Sequence, residues 1–229
     1  NVPSQTTLQS MYEKLETASN KCVTNYGFFI GATESNVEEL QKAVGVPGAP
    51  IAIPGICGIK IFMGSSTGDL LVNESDALKT IFDNTAGLIA VHAEDETRME
   101  ERKPLIEGRT DVAAHAEWRD DETALIATKR AVGFAKDSGH RLHILHLTSG
   151  IEADYLADFT SLRGIDGEAH ITTEVLPQHL TFNEKDVEER GTRLQMNPPI
   201  RYEQDKVTLW NRLCPVSYTH LRAHETKRN

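Results

Sequence analysis

Gly58-Ile59-Lys60-Ile61-Phe62-Met63 is an apolar run of strand length with a lysine inside it. Its β-branched and aromatic content fits a buried strand, and an ammonium placed there costs several kcal/mol unless a partner neutralises it. Two later runs repeat the pattern of an apolar strand with a reactive residue near its end: Leu88-Ile89-Ala90-Val91-His92-Ala93 and Leu142-His143-Ile144-Leu145-His146-Leu147. Outward from these, short runs rich in Val, Ile, Phe and Leu alternate with longer segments of helical period, the mark of repeated βα units. The expected strands are Cys22–Ala32, Gly58–Met63, Leu88–Ala93, Leu142–Leu147, Ala169–Leu176 and Arg193–Met196. Helices are expected over Thr7–Ala18, Val37–Val44, Glu74–Asp83, Asp121–Ser138 and Gly150–Ser161, with Asn84 and Gly139 placed to close two of them.

Reactive residues at the C-terminal ends of successive strands suit a (β/α)8 barrel, where that rim carries the chemistry and the rest of each strand packs. An open doubly wound sheet also works at its strand ends, but it has no need of reactive side chains on three successive strands. The expected fold class is therefore α/β, a partial (β/α)8 TIM barrel. Six strands are too few to close one, so the first and last are expected to lie outside these 229 residues.

Composition narrows the partners. A net charge of −10 argues against nucleic acid or an anionic membrane, since phosphate binding needs clustered Lys and Arg; a small-molecule substrate is favoured. No run approaches the roughly 20 apolar residues of a membrane helix, and the first residues lack a signal-peptide layout. Asn1 in first place implies that the true start is absent. Three cysteines, Cys22, Cys57 and Cys214, share no motif spacing and leave an odd thiol, which fits a reducing compartment and a cytoplasmic protein. Oligomeric state stays open, with a homo-oligomer allowed.

Two readings of Lys60 stand side by side. It is the cationic half of a structural ion pair, or its amine takes up CO2 to form a carbamate, an anionic oxygen ligand able to bridge two metals. Gly58 and Gly64 leave backbone room nearby. His92 and His146 end separate strands and meet only through tertiary structure; imidazole there suits zinc and similar ions. His143 and His146 are three apart, so strand alternation puts them on opposite faces. His146, nearer the strand end, is the expected ligand, and His143 is expected to face the helices.

Here the residues reach a family resemblance, covering about residues 1–213. The stretch from Gly58 through Gly64-Ser65-Ser66-Thr67-Gly68 resembles the carbamylated-lysine strand of the dihydroorotase, hydantoinase and allantoinase group of amidohydrolases. Val91-His92-Ala93-Glu94-Asp95 and Leu145-His146-Leu147-Thr148 resemble that group's next two metal-histidine strands. Thr173-Glu174-Val175-Leu176-Pro177-Gln178-His179-Leu180 and Met196-Asn197-Pro198-Pro199-Ile200-Arg201 are similar to the segment before its substrate loop and to the loop itself. The resemblance implies a metal-dependent amidohydrolase barrel with two Zn2+ ions bridged by carbamylated Lys60, His92 and His146 binding one of them. It implies hydrolysis of a cyclic amide by water activated at the metals. The family's His-x-His pair and its proton-transferring eighth-strand aspartate have no counterpart here, so no catalytic residue is assigned and the 229-residue chain is expected to be inactive by itself.

Within the group, Asn before Pro-Pro resembles dihydroorotases, which implies opening of dihydroorotate to N-carbamoyl-aspartate in pyrimidine biosynthesis, with Asn197 contacting the substrate ring. Asn197 as a turn cap is the plainer reading. Asn1 matches a substrate-contacting asparagine after the second strand. The alternatives are a hydantoinase or allantoinase, or a non-catalytic barrel that scaffolds a partner enzyme. His179 is expected behind the ligands, and Glu94, Asp95 and Glu96 either orient ligands or serve as helix N-terminal acids. The polar insert Arg109 to Asp121, with His115 and Arg119, is expected to be a solvated loop. Residues 1–213 thus form the domain. From Cys214 to Asn229 the pattern breaks, and this tail resembles translated sequencing-adaptor read-through, so the His220/His224 pair is set aside as a metal site.

Overall fold

Five parallel strands, each built on one of the apolar runs, carry the fold in a computed structural model that describes residues 3–64, 68–159, 161–162, 170–213 and 220–221. They are β1 (Phe28–Gly31), β4 (Ile56–Phe62), β5 (Leu88–His92), β6 (Arg141–Leu147) and β7 (Ile171–Val175), and the two-residue β8 (His220–Leu221) extends the sheet beside β7. A small antiparallel ribbon, β2 (Gly45–Val46) with β3 (Ala49–Pro50), stands apart. The helices are α1 (Leu8–Lys21), α2 (Val37–Val44), α3 (Ser75–Asn84), α4 (Glu96–Arg102), α5 (Ala113–Trp118), α6 (Asp121–Ser138), α7 (Gly150–Ala157), α8 (Pro177–Thr181), α9 (Glu184–Arg190) and α10 (Glu203–Leu213).

The main sheet runs β1-β4-β5-β6-β7-β8, so every strand neighbours the next in chain order. A doubly wound sheet reverses its order at a switch point; this one does not, and that is barrel winding. The packing agrees. Ile30, Ile59, Ile61, Ile89, Val91, Leu142 and Ile144 are buried in one core with Met11, Leu40, Leu78, Phe82 and Val132 of the helices. Burying such an aliphatic side chain stabilises by about 1.5–3 kcal/mol, so the alternating residues on this face weld the helical layer to the sheet. The opposite face holds the half-buried Lys60, Phe62, His143 and Leu145, the positions that line a barrel's interior. The architecture is a segment of a (β/α)8 barrel.

Several boundaries differ from those expected. The first strand is confined to Phe28–Gly31, because Cys22–Gly27 is exposed throughout, Val23 at 98%, and has no apolar face to bury. The strand expected at Arg193–Met196 is absent: Gly191–Leu194 forms a 3-10 turn that continues α9. Gly191 enters it at φ 59°, and this segment reaches the sheet nowhere among the described residues. The insert from Arg109 to Asp121 is no solvated loop. It contains α5, and Arg119 at its end is buried at 2% exposure because its charge is matched inside the protein. Gly139 does close α6, in the left-handed conformation at φ 72°. No helix among the described residues is long and apolar enough to cross a membrane. Cys22 and Cys57 are exposed free thiols; Cys214 lies outside the described residues, as does the expected tail apart from His220–Leu221.

Candidate active site

Register sets the site. Lys60, Ala90, His143 and Thr172 lie in one row across β4, β5, β6 and β7, and Phe62 with His92 in the next row toward the C-terminal rim. Side chains of one row in a parallel sheet share a face, so Lys60, His92 and His143 all point to the barrel interior. His143 therefore does not face the helices as alternation with His146 had suggested. Its Nδ1 lies 2.8 Å from Thr172 Oγ1 and its Nε2 3.4 Å from Glu174.

His146 reaches the same face by an irregularity that parity could not foresee. Between Ile144 and Leu147 three steps of β6 run against two of β7, and one extra residue reverses the alternation beyond it. His146 takes φ 38°, a left-handed backbone that costs a non-glycine residue about 1–3 kcal/mol and is found where surrounding structure over-determines it. Its backbone N–H lies 3.4 Å from Glu174 Oε1.

The two imidazoles meet. His92 Nδ1 is 3.0 Å from His146 Nε2, with the rings edge to face. His92 Nε2 donates to Glu94 Oε2 at 2.6 Å. Glu94 in turn receives Arg119 through Nε at 2.9 Å and through the second guanidinium nitrogen. Burial pushes the Glu94 carboxyl up, but the hydrogen bonds and charges of His92 and Arg119 outweigh it and hold the group well below the usual carboxylate range. A carboxylate only accepts, so the His92 proton sits on Nε2 and the Nδ1 lone pair faces His146. Desolvation holds both imidazoles below the ordinary value of 6.5, His146 more strongly, with Lys60 adding to the effect at each. Both rings are neutral at pH 7.

Lys60 lies one strand over. Its Nζ donates to Ile61 O at 3.0 Å and stands 3.9 Å from the centre of the Phe62 ring, which itself neighbours His92 at 5.8 Å. Desolvation holds the amine well below the ordinary ammonium range, and the Glu174 carboxylate pulls the other way. A cleft of about 320 Å³ lined by Gln5, Phe28, Gly31, Lys60, Phe62 and Leu70 opens beside it. The glycines serve a different purpose from the one expected. A Cβ on Gly58 would fall 2.2 Å from Leu88 O, and one on Gly64 2.3 Å from Glu94 O; both let backbones approach, and Gly64 does so at the site itself.

The donors can be tested against a divalent ion. A tetrahedral ion about 2.0–2.1 Å from two imidazole nitrogens holds them about 3.3 Å apart, and here they stand 3.0 Å apart with His92 in the right tautomer. No group of three or more His, Cys, Asp and Glu among the described residues is arranged to hold an ion. The two imidazoles fit as half of a donor set, and Lys60 lies on the same face one strand over.

The remaining residues singled out from sequence fall as follows. Asn197 is exposed, and its Oδ1 is 2.8 Å from His115 Nε2, which also lies 3.1 Å from Met196 O. His179 is buried with Nε2 3.3 Å from Pro198 O. Arg201, buried, donates through Nε to Thr148 Oγ1 at 2.8 Å and through Nη1 to Arg119 O at 2.6 Å. Asp95 and Glu96 begin α4, Asp95 accepting from Arg98 N, so the acidic run divides between both readings given above. Asn1 lies outside the described residues. Arg119 was missed because its partner is 25 residues earlier in the chain; its only local signal was an arginine following an apolar Trp118 in a polar stretch.

No family model matches the chain. It is 32% identical to an allantoinase of Deinococcus radiodurans over 92% of its own length and 46% of that protein's. It is 29% identical to a dihydroorotase of Methanosarcina mazei over 87% of its length and 43% of that protein's. Among solved structures it superposes on an L-hydantoinase (dihydropyrimidinase) from Arthrobacter aurescens with a TM-score of 0.83 at 24% identity, over 97% of this chain and 48% of that one. The chain spans a little under half the length of the curated relatives it matches. The barrel winding agrees with the fold of that solved structure, and the likenesses to named allantoinases and dihydroorotases support the amidohydrolase group of dihydroorotases, hydantoinases and allantoinases.

Proposed function

We propose that the chain carries part of the active site of a metal-dependent cyclic amidohydrolase, and that the substrate is dihydroorotate, opened to N-carbamoyl-aspartate. The observation that carries the hydrolase reading is the convergence of His92 and His146 on the face that also bears Lys60. In this reading His92 Nδ1 and His146 Nε2 would hold a Zn2+ ion, and Lys60, as its carbamate, would supply an anionic oxygen ligand. The bound ions would supply polarisation of the ring carbonyl and acidify the attacking water. The protein's own part is positional: Glu94 keeps the His92 proton on Nε2, and the Phe62 ring packs against Lys60 Nζ.

What favours dihydroorotate is Asn197 before Pro-Pro, the pattern in which this sequence resembles dihydroorotases. With Oδ1 engaged by His115, it offers its amide N–H groups, which recognise carbonyl or carboxylate acceptors on a substrate. Allantoin is the second reading, favoured by the 32% identity to an allantoinase. The test is turnover by the protein, in its full coding length, on dihydroorotate, allantoin and hydantoin side by side. Turnover of dihydroorotate alone is expected; turnover of allantoin or hydantoin without dihydroorotate overturns the substrate assignment, and turnover of none overturns the hydrolase.

A further inference from the structure

Glu94 and Arg119 are opposite charges wholly inside the protein, 0% and 2% exposed. Taking two charges out of water costs several kcal/mol each, and apolar replacement of such a pair is often neutral or stabilising. Stability alone does not explain why it is there. Its geometry does. The Arg119 fork engages both Glu94 oxygens, and Oε2 also accepts from His92 Nε2. This leaves the carboxylate one orientation, and in that orientation His92 Nδ1 faces His146 Nε2. The backbone of the same arginine reaches the other imidazole's strand. Arg119 O accepts from Arg201, whose Nε holds Thr148 two residues beyond His146.

We propose that Arg119 is a positioning residue: through Glu94 it holds His92 with its proton on Nε2 and the Nδ1 lone pair turned to His146, and so sets the affinity of the two-imidazole site for a divalent cation. The affinity half rests on the cation reading above. Carboxylates that orient a ligating imidazole typically contribute about 10–100-fold in metal affinity, and Arg119 governs one here at one remove.

The test combines long-range ¹H–¹⁵N spectra of histidine-labelled protein, which read the tautomer with no ion added, with Zn2+ titration against a chromophoric chelator. Expected are a single Nε2–H tautomer of His92 in the unsubstituted chain, mixed tautomers in Arg119→Met, and zinc bound about 10-fold or more weakly by that variant. Arg119→Lys, which keeps the charge without the fork, is expected to fall between the two. An Nδ1–H tautomer in the unsubstituted chain overturns the proposal even if Arg119→Met does not fold. So does a folded Arg119→Met with unchanged tautomer and unchanged zinc affinity. An Nε2–H tautomer in a chain that takes up no zinc overturns the cation reading instead.

Discussion

Glu94→Ala removes a carboxylate on which two guanidinium nitrogens and His92 Nε2 converge. Alanine leaves Arg119 where it is, 2% exposed, with no counter-charge. Breaking a buried pair from one side costs about 3–5 kcal/mol, more than the about 1.5–3 kcal/mol of one hydrogen bond to a charged group, because the abandoned charge stays desolvated. Against a domain stability of about 5–15 kcal/mol this is a large fraction. Urea denaturation followed by circular dichroism at neutral pH reads it, and Glu94→Leu combined with Arg119→Met supplies the control. The single variant is expected to lose about 3–5 kcal/mol and the double variant much less, since no charge is then stranded. Acid adds a sign. The folded Glu94 carboxyl lies below its ordinary 4.5, so the stability it contributes is fully present above that value and is lost as pH falls toward the folded one. The penalty of Glu94→Ala therefore shrinks in acid. A loss under about 1 kcal/mol at neutral pH would refute the reasoning, because it would mean that Arg119 finds water or another partner.

Three further outcomes follow from the same geometry. Gly64→Ala puts a methyl 2.3 Å from Glu94 O; forced backbone separation there costs about 1–3 kcal/mol in urea midpoint analysis and perturbs the His92 ring signals, while unchanged signals would place Gly64 outside the site. His92, His115, His140 and His146 are all held below 6.5, chiefly by desolvation. The unfolded chain therefore takes up protons first as pH drops below that value, and unfolding free energy should fall from about pH 7 to about pH 5.5; a flat profile contradicts the burial of these rings. In the full coding length, Asn197→Ala should lower kcat/KM for dihydroorotate about 3- to 10-fold, the worth of one neutral hydrogen bond, and an unchanged value would reduce Asn197 to a turn residue.

The strands that carry the site were legible because each had to be apolar enough to pack and reactive at its end; the two-residue period was the only guide to which face each residue takes, and it is the β4–β5 register that puts Lys60 and His92 on one face. That period failed at His146. The extra residue between Ile144 and Leu147 is specified by how β6 meets β7, a tertiary fact with no mark in the run Leu142–Leu147. Arg119 was illegible for a related reason: a polar insert of Arg, Asp, His and Glu reads as solvated, and only the fold shows that one of its charges has Glu94 waiting inside. Arg193–Met196 was too short to carry a period, and Gly191 turned it into a helical continuation. Cys22–Gly27 has strand-forming residue types, but the whole segment is exposed.

Crystals grown with Zn2+ and measured at the zinc absorption edge test the central claim most directly. The account predicts an anomalous peak between β5 and β6, about 2.0–2.1 Å from both His92 Nδ1 and His146 Nε2. Zinc ordered elsewhere while the 3.0 Å contact between the two imidazoles persists would contradict it.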